Sequence, residues 1–144
     1  MSERTTLFID GENFMHKVQD VIRRGKTNGV DFDVTRINLN QLLDHALKGL
    51  NISRKIFYAA RLRKHAETKE KSKELILAQR NLKTNLEKQG FEFIIAGNVR
   101  AQVIRAKGET DVIFREKGVD VRIAVDMVTG ACDKQIDVAV LCSS

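Results

Sequence analysis

The sequence predicts an α/β fold, a three-layer sandwich around a mainly parallel central sheet. Short apolar runs rich in β-branched and aromatic residues recur along the chain, stretches with three- and four-residue apolar spacing separate them, and the last run is almost continuously apolar. Strands that alternate with helices need crossover connections between parallel neighbours, and those helices cover the faces of the sheet. At 144 residues the chain fits one domain large enough to bury a core, and a single domain over 1–144 is expected.

Residues 6–9 form the first run, which stops abruptly at Asp10-Gly11 and reads as a buried strand entering a turn. Phe14, Val18, Val21 and Ile22 then mark one face of a helix ending near Gly25. A surface loop follows over 25–33, with two glycines and Asn28. Leu39, Leu42, Leu43, Ala46, Leu47 and Leu50 keep helical spacing and predict a helix of three turns. Residues 56–60 form a second strand. It opens into Arg61, Arg63, Lys64 and His65 and then a charged helix with the stripe Leu75, Ala78, Leu82 and Leu86, closed by Gly90. Residues 91–96 form the third strand. Alternation from 99 to 114 on both sides of Lys107-Gly108 predicts a β-hairpin projecting from the core. After Lys117-Gly118 comes a helix with the stripe Val121, Ala124, Val125 and Val128. Ile123 and Met127 lie on another face, so this helix is expected to be buried on two sides. Residues 136–141 are the closing strand.

Composition excludes several classes. No apolar run approaches the ~20 residues of a membrane helix, and the polar start MSERTT lacks a signal peptide's apolar stretch. A cytoplasmic address follows by default. Cys132 and Cys142 are not spaced as a C-x-x-C pair and read as plain buried thiols. His16, His45 and His65 have no zinc-ligand spacing. Eight aromatics and no tryptophan give little support to a stacking platform for single strands. A net charge of +6 favours a polyanionic partner, and matters where the positive charge gathers beside a site.

In an open parallel sheet ligands sit outside the carboxyl ends of the strands. Asp10, the Arg61–His65 cluster and Ser143-Ser144 all follow strand ends and should share one edge. A carboxylate after a buried strand, with Gly11 allowing a sharp turn, suits an oxygen ligand aimed at a metal; it equally suits a helix cap, as does Asn13. Position alone leaves the two roles level. Asp120 opens the helix before the last strand and gains from its dipole, again as ligand or cap. It nears the carboxyl edge only if the connection folds back over the sheet. Asp126 lies about 240° further round that helix and is read as a supporting or helix–helix contact. Glu116 and Asp111 read as solvated.

Three segments then carry a resemblance. FIDGENF at 8–14, KGVDVRIAVDMV at 117–128 and IDVAVLCSS at 136–144 resemble the NYN family of PIN-like ribonuclease domains, in order and across nearly the whole chain. That family has an Asp-Gly-x-Asn motif ending its first strand, a Lys-x-Val-Asp motif opening a later helix, and a Ser-x-Asp-Ser-Asp motif ending its final strand. The resemblance implies hydrolysis of RNA phosphodiester bonds with Mg²⁺ or Mn²⁺. Asp10 and Asp120 would be metal ligands, and Asn13 would hold Asp10 or a water in place. Lys117 would contact a phosphate oxygen or stand as a surface lysine. Arg61, Arg63, Lys64 and His65 would grip the RNA backbone or form a solvated helix turn, with Arg100, Arg105 and Lys107 of the hairpin extending that surface. The chain departs from the pattern in stopping at Ser144, before Asp-Ser-Asp, so the domain's C-terminal end with its last acidic ligands is expected beyond it. A homodimer is compatible with the family, and DNA also fits as substrate. The rival within the family is an RNA- or protein-binding module that does not cut. A phosphatase of the haloacid-dehalogenase type needs a carboxylate where Phe8 stands, and a phosphoacceptor receiver domain needs acidic and lysine residues where Ala60 and Ser143-Ser144 stand.

Overall fold

The computed structural model describes residues 2–25, 33–62, 69–106 and 108–143, with the backbone alone for 98–104, 106 and 110–117. Its elements are β1 (Thr5–Asp10), α1 (Gly11–Arg24), a 3₁₀ turn (Val34–Arg36), α2 (Leu39–Ala46), β2 (Arg54–Arg61), α3 (Lys69–Lys88), β3 (Glu92–Ala106), β4 (Glu109–Lys117), α4 (Val119–Cys132) and β5 (Val138–Cys142). The sheet runs β4-β3-β2-β1-β5. β1 pairs parallel with both β2 and β5, and β2 with β3, while β4 returns antiparallel along β3.

Every residue of β1 is buried, which is why its sequence is a continuous run rather than an alternation. Its odd-numbered side chains, Leu7 and Ile9, pack with Phe57, Ala59, Leu39, Leu43 and Leu86 under α1, α2 and α3. On the other face Phe8 joins Ile56, Tyr58 and Ala60 beneath Val119 and Ile123 of α4. These are the three predicted layers.

The third strand and the hairpin are one element. β3 runs unbroken from Glu92 to Ala106, and its pairing with β2 shifts between Ala59 and Arg61, where Gly97 takes a positive φ of 68°. Asn98 is its last residue to pair with β2, opposite Arg61, so the rest of β3 pairs with β4 alone, up to Ala106↔Glu109. Gly108, at φ 78°, supplies the left-handed position that such a two-residue turn requires. Lys107 lies outside the described residues, as does most of the predicted 25–33 loop.

Three expectations need correction. α2 has eight residues rather than three turns: after Leu47 N–H bonds the Leu43 carbonyl at 2.7 Å, the chain turns, and Gly49 sits at φ 93°. Leu50 therefore falls outside the helix and is half exposed. α4 is buried on one face only. Val119, Ile123 and Gly130 face the sheet, and Val121, Val125 and Val128 are 54–63% exposed on the opposite side, which no described element covers. Neither cysteine is a buried thiol, since Cys132 is exposed at the end of α4 and Cys142 is half-buried in the edge strand β5.

Polar clasps add what apolar spacing cannot reveal. Gln89 accepts from the Leu39 and Asn40 amides at 2.8 and 3.1 Å and donates to the Ile37 carbonyl at 2.8 Å, tying the start of α2 to α3. Asp126 takes a hydrogen bond from the Tyr58 hydroxyl at 2.8 Å and from Arg122 Nε at 3.1 Å. It is thus a helix–sheet contact rather than a helix–helix one. Burial and then this bond hold the Tyr58 hydroxyl well above its ordinary pKa. Tyr58→Phe leaves Asp126 with Arg122 alone, and urea denaturation should show a loss of about 1–2 kcal/mol; an unchanged midpoint would mean that the bond contributes nothing.

Candidate metal centre at the carboxyl edge

The topology says where a crevice must open. The chain proceeds from β1 to β2 to β3 with helices on one face, then crosses the other face through α4 to reach β5 on the far side of β1. Strand order therefore reverses between β1 and β5, the place where open α/β sheets bind ligands.

Asp10 ends β1 at this point and is 5% exposed. Its Oδ1 accepts the Asn13 amide at 3.4 Å, and its Oδ2 accepts Asn13 Nδ2 at 3.2 Å. The same Nδ2 donates to Ser143 Oγ at 3.4 Å. The register Ile9↔Cys142 explains this meeting, because it sets the residue after β5 beside the end of β1. Asp10 does cap α1, as one reading of the sequence expected. Both capping partners are neutral N–H groups at long range, and no cationic side chain pairs with it among the described residues. A carboxylate so buried is costly unless a cation joins it.

Asp120 reaches the same edge by the fold-back that the sequence made a condition. Gly118, at φ 97° and where an added Cβ would lie 3.3 Å from Gly97 Cα, turns the chain from β4 onto the sheet. α4 then starts beside the register pair Asn98↔Lys117, just past the end of β2. Asp120 is exposed there, its Oδ1 taking the Val121 amide at 2.9 Å. Asp126 lies further along the helix, engaged as described above.

The donors at this edge are all hard oxygens, from Asp10, Asp120, Asn13 and Ser143, which suit Mg²⁺ or Mn²⁺ and not a softer ion. Among the described residues no group of three or more His, Cys, Asp or Glu gathers as a ready-made metal cage. The set fits one side of a cation site open to water and phosphate.

Basic residues approach the same edge. Arg61 ends β2 and is exposed, and its register partner Asn98 pairs in turn with Lys117 at the end of β4, so two cationic residues flank one row of the sheet. Arg105 is exposed on the hairpin arm. Arg63, Lys64 and His65 lie outside the described residues. Sequence reading missed two features. Arg115 stands in register with Arg100, so the hairpin sets two arginine positions opposite each other. Ser143 is a partner of Asn13 across 130 positions; only its place after a strand end hinted at this.

A family model for the NYN domain matches residues 4–144. No curated protein and no solved structure matches the chain.

Proposed function

Because the chain belongs to the NYN domain family, and so to the PIN-like nucleases, we propose that it is a metal-dependent endoribonuclease. The observation that carries this reading is Asp10, a buried carboxylate without a cationic partner among the described residues, at the reversal of strand order.

In this reading Asp10 and Asp120 hold a divalent cation, Mg²⁺ or Mn²⁺. Bound there, it would supply positive charge against the scissile phosphate and would lower the pKa of a bound water, the nucleophile of the reaction. Asn13 does the positioning. Its side-chain amide donates to Asp10 Oδ2 and to Ser143 Oγ, which ties the end of β1, the start of α1 and the residue after β5 together. Arg61 and Lys117, with Arg105 further out, draw the RNA backbone toward the edge, and binding of this kind weakens steeply with salt. No step needs Asp126, whose work is to bind α4 to β2.

A second reading, an RNA-holding domain that does not cut, draws support from the absence of a third gathered acid among the described residues. One experiment separates the two. End-labelled RNA incubated with the protein and MnCl₂ should be cleaved internally, EDTA should stop it, and Asp120→Asn should slow it by at least ~100-fold, about 3 kcal/mol of transition-state stabilisation. Cleavage that survives EDTA or is undiminished by Asp120→Asn would sink the metal reading. RNA bound without any cutting would favour the second.

A further inference from the structure

Tyr58 joins the two proposed ligands by an indirect route. In the parallel pairing of β1 with β2 it stands beside Asp10, and it is fully buried beneath α4. Its hydroxyl donates to Asp126 Oδ2 at 2.8 Å, and Arg122 Nε donates to both oxygens of that carboxylate at 3.1 Å. Asp126 follows Asp120 by six positions, about 9 Å along the helix axis. One row of the sheet thus contains Asp10 and grips the helix that carries Asp120.

What else holds α4 gives this grip its importance. Val119 and Ile123 are buried against the sheet, but apolar attraction is non-directional and lets a helix turn about its axis by small amounts. At the far end Gly130 lies close against Ile136. The near end has no side-chain cap, because its N-cap is Gly118, and the bond from the Val121 amide to Asp120 lies within the helix itself. A hydrogen bond, by contrast, has a preferred direction. Its donor here is a phenol on a buried strand, with its ring stacked on Phe8 at a centroid distance of 6.3 Å. The rotation of α4 is therefore fixed at Asp126, and Asp120 takes its place from there.

We infer that Tyr58 is a positioning residue for the metal centre, its bond to Asp126 setting the pose of α4 in which Asp120 stands at the edge where β1 ends. The inference rests on the reading of Asp10 and Asp120 as metal ligands. Neither Tyr58 nor Asp126 is itself a ligand in this arrangement. Losing their bond leaves the ligands unchanged in kind and lowers the fraction of molecules in which they can share a cation. Apparent affinity falls by that fraction.

Tyr58→Phe is the test, since it removes one hydroxyl, changes no charge and keeps the ring beside Phe8. Mn²⁺ binding is read by electron paramagnetic resonance on RNA-free protein, at a temperature where melting curves show every variant folded. The variant should bind Mn²⁺ about fivefold more weakly than the wild type, within the roughly tenfold that one net hydrogen bond can impose. Gln89→Ala is the control for lost stability. It breaks the clasp between α2 and α3 on the other face of the sheet, and should leave Mn²⁺ affinity within about twofold. Affinity unchanged in Tyr58→Phe, or lowered equally by Gln89→Ala, overturns the inference and leaves the metal reading standing. A wild type that takes up no Mn²⁺ ends the metal reading and the inference with it. A second measurement needs no metal: Tyr58→Phe should shift the backbone amide NMR signals of Asp120 and Val121 more than Gln89→Ala does. If those signals stay in place, α4 keeps its pose without the bond, and the inference is overturned.

Discussion

Asp10→Asn is expected to lower RNA cleavage by about 10³-fold while leaving the protein folded. The size follows from what the carboxylate does in the proposed site. Losing several kcal/mol of charge stabilisation at the phosphate, about 4, corresponds to roughly three decades in rate. The expectation of an intact fold follows from local structure. Asparagine caps helices as well as aspartate does, so the bond from the Asn13 amide can be kept, while Asn13 Nδ2 gives up its bond to Oδ2 and keeps Ser143 Oγ. The substitution also removes a buried charge that lacks a cationic partner among the described residues, so the metal-free variant should melt no lower than the wild type, and even somewhat higher. Added Mn²⁺ should reverse the order. A ligand that binds only the folded state raises stability by RT ln(1 + [L]/Kd), and only the wild type retains the carboxylate that gives it affinity. Melting curves with and without MnCl₂ thus give a readout independent of activity. A wild type indifferent to Mn²⁺, or a variant that cleaves normally, would remove Asp10 from metal chemistry and leave it as a cap.

How much of this was legible in the sequence depended on whether the determining physics is local. β1 was readable because burial on both faces demands an uninterrupted apolar run, and Asp10-Gly11 because a strand end leaves a composition break. The hairpin was readable from its turn, but not its fusion with the third strand, since a bulge at a glycine breaks alternation in the same way as a strand end does. Periodicity counts apolar positions without knowing what meets them. Leu47 and Leu50 kept helical spacing across Gly49, where the backbone has already left the helix. Val121, Val125 and Val128 resemble any core stripe, yet stand on the side of α4 away from the sheet. For the site, each carboxylate was visible singly. Their common edge depended on Gly118 turning α4 back over β3 and β2, and the tie from Asn13 to Ser143 depended on β5 choosing β1 as its neighbour. Such choices are made by the whole sheet, so no local window contains them.

Gly11→Ala should be the most damaging glycine-to-alanine substitution among the described residues. A Cβ at this position would lie closer than 3.0 Å to two atoms of the Phe57 ring and to the Tyr58 carbonyl oxygen. Neither can yield cheaply. The Phe57 ring is 1% exposed and stacked on Phe93, and the carbonyl belongs to the strand that pairs with β1 at Asp10↔Tyr58. The usual advantage of alanine over glycine in a helix, up to about 1 kcal/mol, is overwhelmed, because overpacking of this kind costs about 1–3 kcal/mol even where side chains alone must move. A loss of about 3 kcal/mol is expected, seen as a fall in Tm of roughly 6–12 °C. Activity should fall further than stability explains, since relief of the clash must push the first turn of α1, and with it Asn13, away from Asp10. Gly49→Ala serves as the control: its φ of 93° imposes backbone strain of about 1–2 kcal/mol, but a Cβ there meets nothing within 4 Å. If Gly11→Ala melts no lower than Gly49→Ala, the backbone is not pressed against β2 at this point, and the geometry that aims Asp10 into the crevice is wrong.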